Sequence, residues 1–180
     1  CPRAAFSGVD TLAATVEKAT SRAREAGILA RATRHDGEIL AASLMELTCD
    51  LYEGQVAVVH QQLGDLIELA PGQPTPLAFM ATLALCVGDT DEVYALVDQA
   101  WALMDEHAPA GLHPELDVFR ANLLLLRARA LLTDEKPGEA VLVCERLEGL
   151  DCDSPVPQAL GLGLRGLGRA QSHRQEERRL

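Results

Sequence analysis

Aromatic side chains are almost missing from this chain, at 3% of 180 residues. Sheets draw heavily on aromatic and β-branched residues, and no stretch alternates apolar and polar with a two-residue period, which argues against an all-β sandwich or barrel. No unbroken run of about eighteen apolar residues occurs, as a transmembrane helix would need, and 24% of the chain is charged. The five cysteines (Cys1, Cys49, Cys86, Cys144 and Cys152) contain no C-x-x-C pair, so neither a disulfide framework nor a four-ligand zinc site is indicated. Cys49, Cys86 and Cys144 sit among apolar helix formers and read as small core hydrophobes. There is no G-x-x-x-x-G-K-[ST] loop, no helix-turn-helix and no nucleophile elbow. The chain starts at Cys1 without a basic-then-apolar leader, and reads as a fragment of something longer.

Alanine and leucine are plentiful, with 27 and 30 copies, and both stand high in helix propensity. The length suits one domain or one compact array of repeats. Net charge is −11, unevenly spread: residues 1–35 carry +3, residues 36–154 carry −17 and residues 155–180 carry +3. A middle this acidic repels phosphate backbones, so nucleic-acid binding through it is not expected, and a basic partner surface is.

Turn-forming residues punctuate the chain at Asp36-Gly37, Gly54, Pro71-Gly72, Gly88-Asp89, Pro109-Ala110-Gly111, Lys136-Pro137-Gly138 and Ser154-Pro155. Between them, apolar periodicity predicts eight helices at about 8–33 (with a break at Gly27), 38–53, 56–70, 75–87, 90–107, 114–133, 137–149 and 156–172. Asp89 and Asp91 open the fifth as amide acceptors that complement the helix dipole. Residues 173–180 read as a fraying polar end.

Gly54 and Gly88 lie 34 residues apart, each between two helices, and Val59 and Val93 keep the same interval. In residues 74–107, Gly88-Asp89-Thr90-Asp91-Glu92-Val93 forms the turn and acidic helix start, with Ala81 and Ala100 at small positions where helices approach closely. In 121–154, Ala128 and Lys136-Pro137-Gly138-Glu139-Ala140 play those parts, and Leu147 replaces the second small residue, which predicts looser packing. This pattern resembles the tetratricopeptide repeat. Residues 40–73 match only in their second half, since Glu46 and Asp50 fall where the family is apolar, and Leu77 and Leu124 stand in usually aromatic places. The resemblance implies an all-α solenoid of antiparallel helix pairs in one 1–180 domain: irregular helices over 1–37, repeats over 38–73, 74–107 and 121–154, an insert over 108–120, and a capping helix and tail over 155–180.

Three strings carry chemical signals. Gly161-Leu162-Gly163-Leu164-Arg165-Gly166 satisfies G-x-G-x-x-G but follows no strand and has no acidic residue about twenty positions on. On a helix, Ala159, Gly163, Gly166 and Ala170 form a small-residue face for close packing. Asp105, Glu106, His107, His113 and Glu115 flank a loop without metal-ligand spacing. His35-Asp36 with Ser43 or Ser154 lacks the turn that a hydrolase nucleophile needs. No catalytic residue, metal or cofactor is assigned.

What the resemblance implies is a groove lined by first helices, here Thr75, Ala78, Thr82, Leu85 and Cys86, then Asn122, Leu125, Arg129, Leu132 and Thr133. A peptide or protein partner is expected there, such as a basic or amphipathic helix, or an adjacent domain of the same polypeptide. The texture is similar to sensor or scaffold segments of large bacterial regulators, which implies a cytoplasmic, non-catalytic module open to homo-oligomerisation. The alternative is a small-molecule sensor with a pocket between helices.

Overall fold

A computed structural model of the chain describes residues 6–33, 36–107, 114–150 and 155–178. Among them are eight helices and no strand: α1 (Phe6–Thr33), α2 (Asp36–Tyr52), α3 (Val56–Leu69), α4 (Pro74–Val87), α5 (Thr90–His107), α6 (Pro114–Thr133), α7 (Pro137–Glu148) and α8 (Pro155–Glu177). The all-α class and the eight segments are those expected. Four helices (α4, α6, α7 and α8) begin on proline, whose fixed φ suits the first helical position and whose missing N–H is not needed there. α5 is capped as its sequence predicts, the Glu92 N–H donating to Asp89 Oδ1 at 3.1 Å.

Two boundaries differ. α1 runs unbroken through Gly27, since a lone glycine costs a helix only about 1 kcal/mol. The residue is buried, and a Cβ there would fall 1.8 Å from Glu46 Oε1. α8 continues to Glu177, past the expected end at residue 172. The Gln175 side chain donates to the Glu135 carbonyl at 3.0 Å and ties that end to the α6–α7 turn, while His173 lies 3.3 Å from Glu177 one turn on.

Three of the helix-to-helix turns, α2–α3, α4–α5 and α6–α7, obey one pattern. Gly54, Gly88 and Glu135 all have positive φ, at 81°, 85° and 58°. In each turn this residue's N–H donates to a carbonyl three residues back (Leu51, Leu85, Leu132), and the next N–H reaches one five back (Asp50, Ala84, Leu131). That pairing closes a helix on a left-handed residue. The next helix then starts on the same backbone bond, with Val59, Val93 and Ala140 donating to the carbonyls of Gln55, Asp89 and Lys136. The 34-residue interval thus marks a repeated backbone device, and its third instance places glutamate where glycine is least strained.

The chain divides into two compact units, Cys1–Ala70 and Pro71–Leu180. In the first, α1 packs on α2 and α2 on α3. Its described core is small, with Ala23, Ala30, Ala42, Leu47, Val59 and Leu63 buried. Glu46 and Asp50 face arginines of α1, at 3.2 Å from Arg31 and 3.9 Å from Arg24.

In the second unit each helix packs on the next, and α6 also meets α4 and α8. This gives two layers, α4, α6 and α8 against α5 and α7. The core holds Ala121, Leu124, Leu125, Ala128 and Leu131 of α6 with Ala140, Val143, Cys144 and Leu147 of α7. Ala81 and Ala100 are fully buried, as close-approach positions require.

Three expectations are corrected. Leu147 is not loosely packed: it is 1% exposed because α8 places Gly161 against it, where a Cβ would fall 2.7 Å from Leu147 Cδ2. Large and small residues have exchanged sides of one contact. The packing glycines of α8 are accordingly Gly161 and Gly168, two turns apart, whereas Ala159, Gly163, Gly166 and Ala170 are exposed. Cys86 is also exposed, unlike the buried Cys144. Cys1, Cys152 and insert residues 108–113 lie outside the described residues, and 114–120 form the first turns of α6.

Candidate functional site

Within the second unit, α4, α6 and α8 enclose a cavity of about 490 Å³, a size typical of ligand pockets. α4 supplies Thr75, Ala78, Phe79 and Thr82; α6 supplies Phe119, Asn122, Leu125, Leu126 and Arg129; α8 supplies Leu160 and Leu164. Helical geometry produces each wall: Thr75, Ala78, Phe79 and Thr82 recur at three- and four-residue steps, as do Phe119, Asn122, Leu125, Leu126 and Arg129. Aromatics are scarce, yet two of the three phenylalanines line this one groove.

The cavity is apolar with few polar groups. The Thr82 hydroxyl is spent on the Ala78 carbonyl at 2.9 Å, which leaves its methyl for packing. Asn122 and Arg129, two turns apart on α6, are exposed, and neither side chain has a hydrogen-bond or ion-pair partner among the described residues. Arg129 is the only charged residue of the lining, which includes no carboxylate.

Of the residues expected to form a groove, six meet here: Thr75, Ala78, Thr82, Asn122, Leu125 and Arg129. Leu85 and Leu132 do not. Leu85 is half-buried on α4 outside the lining, while Leu132 packs against the core and lies beside Gly168. Cys86 and Thr133 are exposed and also outside it, the Thr133 hydroxyl bonding the Arg129 carbonyl at 3.1 Å. The missed residues are Phe79, Phe119, Leu126, Leu160 and Leu164. Phe119 falls in the supposed insert, and α8 reads as a cap; the scarcity of phenylalanine was the available signal.

The other candidates are not assembled. G-x-G-x-x-G lies inside α8, with no strand before it among the described residues. Asp105 pairs with Arg120 at 3.2 Å, and the side chains of His107, His113 and Glu115 lie outside the described residues. So do those of His35, Asp36 and Ser154. Ser43 borders a smaller hollow of about 250 Å³ in the first unit, with Arg31, Glu46, Gln62 and Asp65.

Shifted titrations lie away from the groove. Asp134 accepts from Thr90, Tyr94 and Lys136; the Thr90 hydrogen bond first holds its carboxyl below the usual range, and Tyr94 and Lys136 add to it. Burial, then the Asp134 carboxylate, pushes the Tyr94 phenol up. Burial likewise raises the Cys144 thiol, which makes it a poor nucleophile.

Comparison with known protein families, curated proteins and solved structures returns no match. Among the described residues, no helix is long and apolar enough to cross a membrane.

Proposed function

We propose that this chain is a non-catalytic interaction module of tetratricopeptide-like hairpins that binds an amphipathic segment of a protein partner in the α4–α6–α8 groove. The observation that carries this reading is the lining itself: an apolar trough with two unpartnered polar side chains, Asn122 and Arg129, along one edge. The 34-residue interval and the three equivalent turns support the repeat likeness. Apolar anchors of the segment, at three- and four-residue steps, fill the trough beside Phe79, Phe119 and Leu125. The local charge refines the partner. The acidic total of residues 36–154 favours a basic partner, but the groove contributes a guanidinium and an amide, so the segment places a carboxylate or carbonyl oxygens there.

Display of a peptide library on the intact chain tests this, with counter-selection on Ala78→Trp, which fills the trough. The reading predicts enriched peptides with paired apolar anchors and an acidic residue beside them. Those peptides lose at least tenfold in affinity on Ala78→Trp, and less on Arg129→Met. Enrichment that is indifferent to Ala78→Trp contradicts it.

A further inference from the structure

Residues 36–154 hold only five cations, and four of them converge on one flank of α6. Arg120, Arg127, Lys136 and Arg146 each lie within 6.0 Å of the ring centroid of Tyr94 or Trp101. The fifth, Arg129, belongs to the groove described above; at 100° per residue, positions 127 and 129 face opposite ways from the helix. Carboxylates pair with three of the four, Arg120 with Asp105 and Asp117, Arg127 with Asp98 and Lys136 with Asp134, which leaves Arg146 as the cation without one.

A cavity of about 540 Å³ lies on this flank, between α5, α6 and α7. Arg127, Lys136 and Arg146 line it with Tyr94 and a single carboxylate, Glu139, over an apolar floor that includes Leu142 and Val143. The hydrogen-bond inventory is unbalanced. Arg127 gives one bond to Asp98, and Lys136 gives one to Asp134 at 3.2 Å. These carboxylates orient the cations without exhausting the eight N–H donors that the two side chains carry. The Arg146 side chain has no ion-pair or hydrogen-bond partner among the described residues, its guanidinium resting 5.9 Å from the Trp101 centroid. The pocket is therefore rich in donors and poor in acceptors.

We propose that this cavity is a binding site for a small organic anion, a carboxylate or a phosphate monoester. Its charged group bridges Arg127, Lys136 and Arg146, and its apolar body lies on Leu142 and Val143. Planar, forked guanidinium groups match such oxyanions, and the volume suits a molecule of metabolite size. This assignment is independent of the peptide reading, because the two cavities share no residue.

Trp101 is the only tryptophan in the chain, and Arg120 and Arg146 both lie over its ring, so its emission responds when an anion engages Arg146. The experiment titrates the intact chain with benzoate, phenyl phosphate and inorganic phosphate against sodium chloride of equal ionic strength, following Trp101 emission and, in parallel, heat of binding. A saturable response to benzoate or phenyl phosphate supports the site, and the stronger of the two assigns the head group. Saturation by inorganic phosphate alone retains the anion subsite and removes the apolar body from the proposal. Arg146→Met keeps the stem over Trp101 and is expected to weaken binding at least tenfold. Leu142→Glu, at an exposed floor position, produces a comparable loss, and Arg129→Met leaves affinity unchanged. A response that sodium chloride reproduces, no saturation with any anion, or unaltered affinity in Arg146→Met overturns the proposal.

Discussion

The hairpins α2–α3 and α4–α5 close on the same pair of backbone hydrogen bonds and differ in what packs around their helices. Where the second has Met80 and Ala84, both buried, the first has Glu46 and Asp50 facing arginines of α1. Where the second has Ala81, fully buried, the first has Leu47, 1% exposed. One backbone register therefore tolerates two chemistries. The turn fixes which positions face inward, and each unit then meets its packing requirement with its own residues. Exposed ion pairs contribute little, commonly under about 1 kcal/mol, so the first unit depends heavily on a few buried aliphatics.

The strongest way to break that comparison is to exchange the residues at the shared position. Leu47→Ala is expected to cost about 2–5 kcal/mol, the range for emptying a buried leucine site. Ala81→Leu is expected to cost about 1–3 kcal/mol by overpacking. Denaturant unfolding measures both, and free tolerance of Ala81→Leu ends the claim that position 81 is a close-approach site. Next in size comes α8. Gly161→Ala drives a methyl into Leu147 and is expected to lose about 1–3 kcal/mol. Gly163→Ala, on an exposed face with open space around it, gains up to about 1 kcal/mol. Equal effects at the two glycines contradict the assignment of faces.

The polar seams sharpen the contrast further. Asp134, with a side chain 20% exposed, ties α5 to the α6–α7 turn through two hydrogen bonds, from Thr90 and Tyr94, and accepts a third from Lys136 within the turn; Asp134→Asn is expected to cost about 1–3 kcal/mol. Its pKa is lowered in the fold. The contribution is therefore complete well above the unfolded-state value near 3.9 and is lost as pH falls through the lower folded-state value. Stability measured between pH 6 and pH 3 should fall more steeply in the parent than in Asp134→Asn. The smallest effect belongs to Arg31→Met, which removes a 3.2 Å pair with an arginine side chain 54% exposed. It is expected to lose under about 1 kcal/mol, and less at high salt.

Much of this architecture was legible in the residues. Prolines and glycines fixed most helix boundaries to within a few positions, because local turn chemistry decides them. Six of the residues that the repeat likeness implies for a groove line the cavity between α4, α6 and α8. Contacts made by elements distant in sequence escaped. Nothing local in α8 distinguishes Gly161, which faces Leu147, from Gly163, which faces open space, since the helix rotation is set by α7. Glu135 did not announce a left-handed residue, because glutamate carries no such signal. The gathering of Arg120, Arg127, Lys136 and Arg146 was hidden for the same reason: summed charge along the chain reports −17 for a region in which four of the five cations meet at one flank of α6.

The central claim, that the trough between α4, α6 and α8 receives a partner, is tested most directly by amide NMR of the chain titrated with a display-selected peptide. The account predicts saturable shifts concentrated at Thr75, Ala78, Asn122, Leu125 and Arg129, with the resonances of Arg127 and Arg146 little changed. Shifts centred on α5 and α7, or on the Cys1–Ala70 unit, contradict it.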